Sequence, residues 1–448
     1  MKTETTATGR PVPIFSILSA AAVVVGIVVG IGIFRLPPIV AANSANGVQF
    51  LLFWVAGGAI SILGALCYAE LAASYPDAGG EYHFLSRAYG PSVGFLFSWG
   101  RMTVIQTGSI ALAGFILGDY ASLILNLGPA SSSIYAGLTV VMLTGLNVWG
   151  TNPSRKTQNV MTAAIVIILL ITTGVGFGIN AGTPPITNMG QSGSGGGAAG
   201  AAMIFVLLTY GGWNEAAYLS AELKDVKKNM IRVLILGLGL ITLLYLMVNY
   251  AYLHVLGLEG LRNSDTVGAE LIERLFGPIG AHVMAITVIF TALSTMNATI
   301  ITGARTNYAL GRDFPLLGFL GKWNKDQNTP INAHLVQGSI AMILVILGGF
   351  TQQGVNTMVE YTAPVFWLFL LLTVASLFVF RIKKAKPEGS FQVPLYPITP
   401  ILFIIAAGYM LYSSLTYTGI GALAGAGILL VGVPLLLAAR GGYSGQNS

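Results

Sequence analysis

The chain has 448 residues, of which 54% are hydrophobic and only 8% are charged. Soluble domains carry about 25% charged residues, so this chain lacks the polar surface that a soluble protein of its size needs. Its formal net charge of +6 is typical of either a membrane protein or a nucleic-acid binder, and the placement of the basic residues distinguishes the two.

Twelve apolar segments follow one another along the sequence. Runs of about 18 or more apolar residues without period-two alternation predict membrane-spanning helices, because backbone groups in lipid must be hydrogen-bonded within the segment. We therefore predict an all-α membrane protein. The predicted spans cover approximately residues 13–41, 49–73, 91–124, 132–149, 157–180, 198–223, 234–257, 279–303, 333–350, 355–380, 396–417 and 418–439.

The basic residues fall on one side of this twelve-span topology. With a cytoplasmic N-terminus, all but four of the 22 Lys and Arg residues lie in cytoplasmic segments. The exceptions are Arg262 and Arg274, which are external, and Arg35 and Arg101, which lie within spans. This distribution follows the positive-inside rule, and it predicts cytoplasmic N- and C-termini in the cell inner (plasma) membrane. Topology thus explains the charge, and we predict a lipid bilayer and no nucleic acid as the partner.

Residues that could carry out chemistry are scarce. The four histidines are widely separated and have no metal-ligand spacing, and Cys67, in span two, is the one cysteine. The sequence shows no catalytic triad pattern and no phosphate-binding loop. We therefore predict that the protein is not an enzyme and has no organic cofactor.

Spans one and six are interrupted by glycines. Span one carries GIVVGIGIFR over residues 26–35, and span six carries LTYGGWNE over residues 208–215. Glycine costs about 1 kcal/mol in a helix interior relative to alanine, so these runs are predicted break points, although small residues also allow close helix packing. Spans one and six correspond if spans 1–5 and 6–10 form an inverted repeat, and broken helices in corresponding positions indicate a transporter's midplane site.

An ordered set of motifs surrounds these breaks. They are Gly30–Phe34, Cys67–Leu71, Pro76–Tyr82, Tyr210–Glu215, Ala221–Asp225, Thr302–Arg305 and Gly311–Asp313. In order and spacing they resemble the amino acid–polyamine–organocation superfamily, and within it the L-type amino-acid transporters and their bacterial relatives. The resemblance implies a leucine-transporter-like five-plus-five inverted repeat with halves at 1–180 and 181–380 and peripheral spans eleven and twelve at 381–448. It also implies secondary active transport of amino acids by alternating access.

The sequence departs from the family pattern in three places. Ile31 stands where a small hydroxyl residue is common, Leu208 where a large aromatic gate is common, and Ile165 where many L-type members carry a lysine. We expect neutral amino acids as substrates. The rival hypothesis is a cationic amino-acid or polyamine permease with Glu215 or Glu360 as the counter-ion. A channel is the alternative from another class, and the glycine-broken spans argue against it.

The predicted substrate site is built largely from backbone groups. Free N–H groups of Ile31, Gly32 and Ile33 at the start of the outer half-helix suit a carboxylate. Carbonyls near Val28 and in the span-six break suit an ammonium, and glycine lets the ligand approach the backbone. The predicted substrate-binding residues are Val28, Gly30, Ile31, Gly32, Ile33, Gln106, Leu208, Tyr210, Gly211, Trp213 and Asn214, with Arg35 as the gate.

A sodium site between spans one and eight is a further hypothesis from the resemblance. Sodium-coupled members of the broader fold hold the ion with span-one and span-eight carbonyls and adjacent hydroxyls, which are hard ligands. Without the span-five lysine, a bound cation is one way to restore the missing charge. Exchange and proton coupling are the alternatives, and the hydroxyls also suit bonds to their own helix. The candidate sodium ligands are Gly26, Val29, Thr291, Ser294 and Thr295.

The resemblance also bears on a partner subunit. Some animal L-type transporters are bonded to a glycoprotein through a cysteine in the external loop after span three. Here the corresponding loop, near Asn126–Ser131, has no cysteine, and Cys67 is predicted to be buried mid-membrane. We therefore predict no disulfide-linked partner subunit.

Overall fold

The computed structural model describes residues 17–75, 80–149, 167–174, 176, 196–215, 223–324, 327, 329–351, 353–383, 391–416 and 420–439. In these ranges the ordered elements are helices, without a strand beyond one isolated backbone bridge. The longer helices are α1 (Ile17–Val28), α2 (Pro37–Ala42), α3 (Gly47–Ser74), α4 (Glu81–Tyr89), α5 (Pro91–Gly100), α6 (Gln106–Ile124), α7 (Ser131–Val148), α8 (Gly196–Thr209), α9 (Val226–Arg262), α10 (Val267–Asp313), α11 (Ile331–Thr351), α12 (Gly354–Ile382), α13 (Ile398–Thr416) and α14 (Ile420–Ala439).

The lengths and composition of these helices are those of a membrane protein. Among the described residues, nine helices are long and apolar enough to cross a bilayer, with α5 and α6 together forming one of them. The prediction of an all-α, multi-pass membrane protein is confirmed at this level. Most of predicted span five lies outside the described residues, as do Ile165 and the part of span six after Glu215.

The chain packs into two compact units. The first contains Met1–Phe84, Ser154–Thr287 and Leu370–Ser413, and the second contains Leu85–Pro153, Val288–Phe369 and Ser414–Ser448. Each unit therefore draws on distant parts of the sequence. These units are defined by which residues pack together. The predicted halves at 1–180 and 181–380 are defined by the inverted repeat predicted from the sequence, so the two divisions are of different kinds.

Glycines on α3 set the close packing of the first unit. A Cβ atom at Gly57 would lie 2.4 Å from Val206 of α8, and one at Gly58 would lie 2.5 Å from Thr242 of α9. Side chains larger than hydrogen do not fit there without movement of a helix. These two glycines therefore serve packing, as small residues commonly do between membrane helices.

A buried ion pair joins the end of α3 to α12 in the same unit. The Glu70 carboxylate accepts two hydrogen bonds from the Arg381 guanidinium, at 2.9 and 2.6 Å, and a third from the backbone N–H of Val393 at 2.7 Å. The guanidinium also lies 3.8 Å from the ring centroid of Tyr396. A buried charge is stable only when it is compensated in this way, so Glu70 has a structural role.

The last residue of α9 reaches the segment of span one that follows the break. Arg262 at the end of α9 donates to the carbonyl oxygens of Ala41 at 3.2 Å and Ser44 at 2.7 Å. These carbonyls lie at or just beyond the C-terminal end of α2, and the Ala41 carbonyl also accepts from the Ser44 N–H at 3.1 Å. Arg262 thus ties the end of α9 to the end of α2.

In the second unit, a π-helical turn over Arg101–Ile105 joins α5 to α6. The hydroxyl of Tyr361 on α12 donates to the carbonyl oxygen of Thr103 within this turn, at 2.8 Å. A π-turn disturbs the regular hydrogen-bond ladder, and such turns occur often at functional sites. Gln106 follows the turn directly, as the first residue of α6.

Candidate functional site

Span one is broken where its glycines predict a break. Helix α1 ends at Val28, a 3-10 turn covers Ile31–Phe34, and α2 begins at Pro37. The N–H of Gly30 donates to the Val28 carbonyl at 2.8 Å. The N–H groups that begin a helical turn have no acceptor within it. In this turn they are the N–H groups of Ile31, Gly32 and Ile33, which the sequence predicts to bind a carboxylate.

Span six is broken after Thr209, the last residue of α8. Gly212 has a φ of 105°, a left-handed conformation that favours glycine, and a 3-10 turn follows over residues 213–215. The N–H of Gly211 donates to the Leu208 carbonyl at 3.0 Å. The Tyr210 hydroxyl is directed away from the turn and donates to the carbonyl oxygen of Trp54 at 3.0 Å.

Tyr245 of α9 connects the two breaks. Its hydroxyl lies 2.9 Å from the carbonyl oxygen of Val28 and 3.1 Å from that of Thr209. Both carbonyls lie at the C-terminal ends of helix segments, where they lose their helical partners. The ring of Tyr245 is fully buried and packs edge-on against Trp54 and Tyr210. The structure thus brings the ends of α1 and α8 to one donor.

The glycines of the span-one break differ from those of α3. A Cβ atom at Gly30 would have the Val28 carbonyl oxygen, 3.9 Å away, as its nearest neighbour. One at Gly32 would make ordinary contacts with Leu36 and Thr209, at 3.4 to 3.5 Å. Close packing therefore does not require glycine at either position. The backbone beside Gly30 is open to a ligand.

Trp213 and Asn214 follow the span-six break and are buried. Residues of α3 and α4 contact both of them. The Asn214 amide donates to Glu81 at 3.3 Å, and the hydroxyl of Tyr68 donates to the same carboxylate oxygen. The Tyr68 and Trp213 rings pack edge to face, with centroids 5.1 Å apart. The side chains of Trp213 and Asn214, both predicted to bind substrate, are therefore held in place by Tyr68 and Glu81.

Arg35, the predicted gate, directly follows the 3-10 turn of the span-one break. Its guanidinium lies 3.0 Å from the Asp265 carboxylate, whose side chain is 84% exposed. Ion pairs with so exposed a partner contribute about 0–1 kcal/mol, because solvent screens them. The contact with Asp265 therefore contributes little to stability.

Gln106 belongs to the second unit, and the side-chain hydrogen bonds described for it are made within that unit. Its amide donates to the Thr299 carbonyl and to the Thr302 hydroxyl, both at 3.0 Å on α10. A Cβ atom at Gly303 would lie 2.7 Å from the Gln106 side chain, so glycine admits the amide against α10.

The candidate sodium ligands are divided between the two units. Gly26 and Val29 belong to the first, and the three hydroxyl residues of α10 belong to the second. Thr291 and Ser294 are buried, and Thr295 is half-buried. Across the described ranges, no three His, Cys, Asp or Glu side chains gather as a metal site.

Comparison with known proteins identifies the family. A profile of the family described as amino acid permease matches residues 15–433, nearly the whole chain. The chain belongs to the amino acid permease family. The resemblance read from the motifs is thereby confirmed, and this permease is a transporter of amino acids and not an enzyme.

Individual relatives cover most of the permease. The b(0,+)-type amino acid transporter 1 of Mus musculus is 29% identical over 402 residues, covering 88% of this chain and 81% of that protein. The serine/threonine exchanger SteT of Bacillus subtilis (strain 168) is 27% identical over 412 residues, covering 89% and 90%. The large neutral amino acids transporter small subunit 2 of Homo sapiens is 27% identical over 439 residues, covering 94% and 79%.

A first prediction concerns the open backbone. Gly30→Ala should fold normally, because its Cβ meets no atom within 3.9 Å, yet uptake should fall about tenfold or more because the methyl group occupies ligand space. Uptake into proteoliposomes at equal reconstituted protein measures this. Gly145→Ala, where a Cβ meets nothing within 4 Å, is the control. Wild-type uptake by Gly30→Ala would rule out backbone binding at this position.

A second prediction concerns Tyr245. Tyr245→Phe removes a hydroxyl that reaches both carbonyls, and the loss of a buried hydrogen bond that holds the two helix ends together costs about 1–3 kcal/mol, so KM should rise roughly tenfold. Tyr135→Phe is the matched control, because its hydroxyl also donates to a carbonyl, that of Leu125, at a helix end remote in sequence from both breaks. Equal KM values in the two variants would show that Tyr245 only packs.

Proposed function

We propose that this permease carries neutral amino acids across the cell membrane by alternating access, and that it holds the substrate's charged groups at the two helix breaks. The observation that carries the proposal is the convergence of the ends of α1 and α8 on Tyr245, beside the open backbone of Gly30. Charged side chains are unnecessary in such a site.

The ammonium would bind at the carbonyls. The Tyr245 hydroxyl has one hydrogen, so it donates to either Val28 or Thr209 at a given moment. When it donates to Thr209, the Val28 carbonyl, which also accepts from the Gly30 N–H, keeps one lone pair for a second donor. A substrate ammonium brings three donors. Both carbonyls also lie at C-terminal helix ends, where the helix dipole favours a positive charge.

The carboxylate would bind at the opposite pole of the break. The 3-10 turn at Ile31–Phe34 presents its first N–H groups beside Gly30. N–H groups at the start of a helical segment bind anions well, because they are unpaired and aligned with the dipole. An α-amino acid carries both charges on adjacent carbons, which matches a break that exposes both kinds of backbone group.

The substrate side chain would meet Trp213 and Asn214, which are uncharged. The nearby Glu81 carboxylate accepts hydrogen bonds from Tyr68 and Asn214, so part of its bonding capacity is already used. Two relatives carry names that specify serine and threonine or large neutral amino acids. These features support neutral substrates over the cationic alternative, in which Glu215 or Glu360 is the counter-ion.

The finer topology is part of the proposal. Twelve spans, a five-plus-five inverted repeat, and cytoplasmic termini in the cell membrane are supported by the hydropathy pattern and by the one-sided distribution of Lys and Arg. We also propose that no partner subunit is attached by a disulfide. Cys67 is the one cysteine of the sequence, and its side chain is buried in α3.

For the driving force we propose sodium coupling. The hydroxyls of Thr291, Ser294 and Thr295 lie within two turns of α10, and Ile165 replaces the lysine that many L-type relatives carry. The alternative is exchange, which the name of the Bacillus subtilis relative favours.

The substrate class is tested by thermal unfolding of the purified protein with each amino acid and several amines. A ligand that binds only the folded state raises Tm. At a ligand concentration one hundred times its Kd, the free energy of unfolding increases by about 2.7 kcal/mol. Neutral amino acids should raise Tm, whereas lysine, arginine and putrescine should not. Stabilisation by the cationic compounds alone would replace the neutral assignment with the cationic one.

The driving force is tested by uptake into proteoliposomes in external sodium and in choline, with empty vesicles and with vesicles preloaded with unlabelled substrate. Sodium coupling predicts uptake into empty vesicles that is lost in choline, and lost in sodium for Ser294→Ala and Thr295→Ala. Uptake that needs preloading and is equal in both cations would establish exchange instead.

A further inference from the structure

A buried carboxylate from outside the membrane spans reaches the span-six break. Glu81 is the first residue of α4, the short helix that follows α3, and its side chain is buried. Its Oε1 atom accepts a hydrogen bond from the Tyr68 hydroxyl and another, 3.3 Å long, from the Asn214 amide. Glu81 therefore links α3, α4 and the turn after the break.

The hydrogen bond to Glu81 fixes the orientation of the Asn214 amide. A carboxylate in an apolar environment requires donors, and bonds to a charged acceptor are stronger than those between neutral groups. Asn214 has one amide carbonyl and one NH2 group. With the NH2 group fixed on Glu81, the opposite side of the amide, its carbonyl oxygen, is held in one orientation.

The same network reaches Trp213. Tyr68, whose hydroxyl is bound to Glu81, packs its ring edge to face against the Trp213 ring at a centroid distance of 5.1 Å. Phe403 of α13 contacts Trp213 in a second edge-to-face pair at 6.1 Å. Trp213 and Asn214 are consecutive residues, and one carboxylate thus restrains both.

We propose that Glu81 is a positioning residue for substrate selectivity: it fixes Asn214 directly and Trp213 through Tyr68, and so sets the shape of the space offered to the substrate side chain. This inference rests on the proposed function of the span-six break. It adds a determinant that does not itself touch the substrate.

Glu81 differs from the other buried carboxylate of this unit. Glu70 is bound to the Arg381 guanidinium and to a backbone N–H, at the end of α3, and this arrangement ties helices together. Glu81 accepts hydrogen bonds from the Tyr68 hydroxyl and the Asn214 amide, and Asn214 belongs to the break itself. A change at Glu81 is thus transmitted to the turn that carries Trp213 and Asn214.

The test compares Glu81→Gln and Glu81→Met in proteoliposomes, with KM and maximal rate measured for alanine, leucine and phenylalanine. Glutamine retains an oxygen acceptor for Tyr68 and Asn214, whereas methionine has the length of glutamate without that acceptor. Glu273→Gln, at an exposed carboxylate on α10, is the control. Tm of each purified variant reports on folding.

We expect Glu81→Met to raise KM about tenfold for at least one substrate and to change the ratios among the three, because the oxygen that accepts from Tyr68 and Asn214 is lost. Glu81→Gln should stay within about threefold of wild type for all three. Tyr68→Phe, which keeps the ring contact with Trp213, should change the ratios in the same direction, and it serves if Glu81→Met does not fold.

Two results would overturn the inference. One is an equal fall in maximal rate for all three substrates with unchanged KM, which is the result of a purely structural tie. The other is a Glu81→Gln variant as impaired as Glu81→Met, which would assign the role to the charge. Absent wild-type uptake of every amino acid would overturn the proposed function as well, so the two failures are distinct.

Discussion

Every backbone polar group inside an apolar environment must be hydrogen-bonded, and a helix that stops in mid-span violates this rule unless other groups compensate. The permease stops two helices, at Val28 and at Thr209. The compensation comes from a single tyrosine on α9 for both carbonyl ends, and from Gly30 and Gly211 N–H groups that turn back on the preceding residues. Glycines on α3 allow α8 and α9 to approach it closely, at Gly57 and Gly58.

The described charges around the breaks stand at their margins. Arg35 follows the 3-10 turn of span one, and the pair formed by Glu70 and Arg381 lies near the C-terminal end of α3. The other groups at the breaks are backbone atoms and neutral hydroxyl, indole and amide groups, with the Glu81 carboxylate behind Asn214 and Glu215 at the end of the 3-10 turn. Burial of an uncompensated charge is expensive, so an empty site of this kind is more stable without one. In the binding mode that we propose, a zwitterionic ligand supplies both charges, and each is compensated by a helix end.

The sequence predicts local features well and tertiary partners poorly. Both breaks are predictable, because the cost of glycine in a helix is a property of the residue and its position. Apolar runs likewise predict the spans, but α10 continues to Asp313, well beyond the predicted end at 303, since hydropathy marks only the lipid-crossing part. Tyr245 has no sequence signal, because helical periodicity does not reveal which neighbour a buried tyrosine meets. The bonds of Gln106 within its own unit are hidden for the same reason.

The open backbone at Gly30 has an evolutionary consequence. Mutation replaces side chains but leaves N–H and carbonyl groups in place, so a pocket lined by main chain retains its recognition of the α-amino acid moiety while the surrounding sequence drifts. Innovation is then confined to the few positions that meet the variable part of the cargo. Because backbone and side chains recognise different parts of the substrate, single substitutions near Trp213 change which amino acid is bound. Binding of the α-amino acid moiety is retained at each evolutionary step.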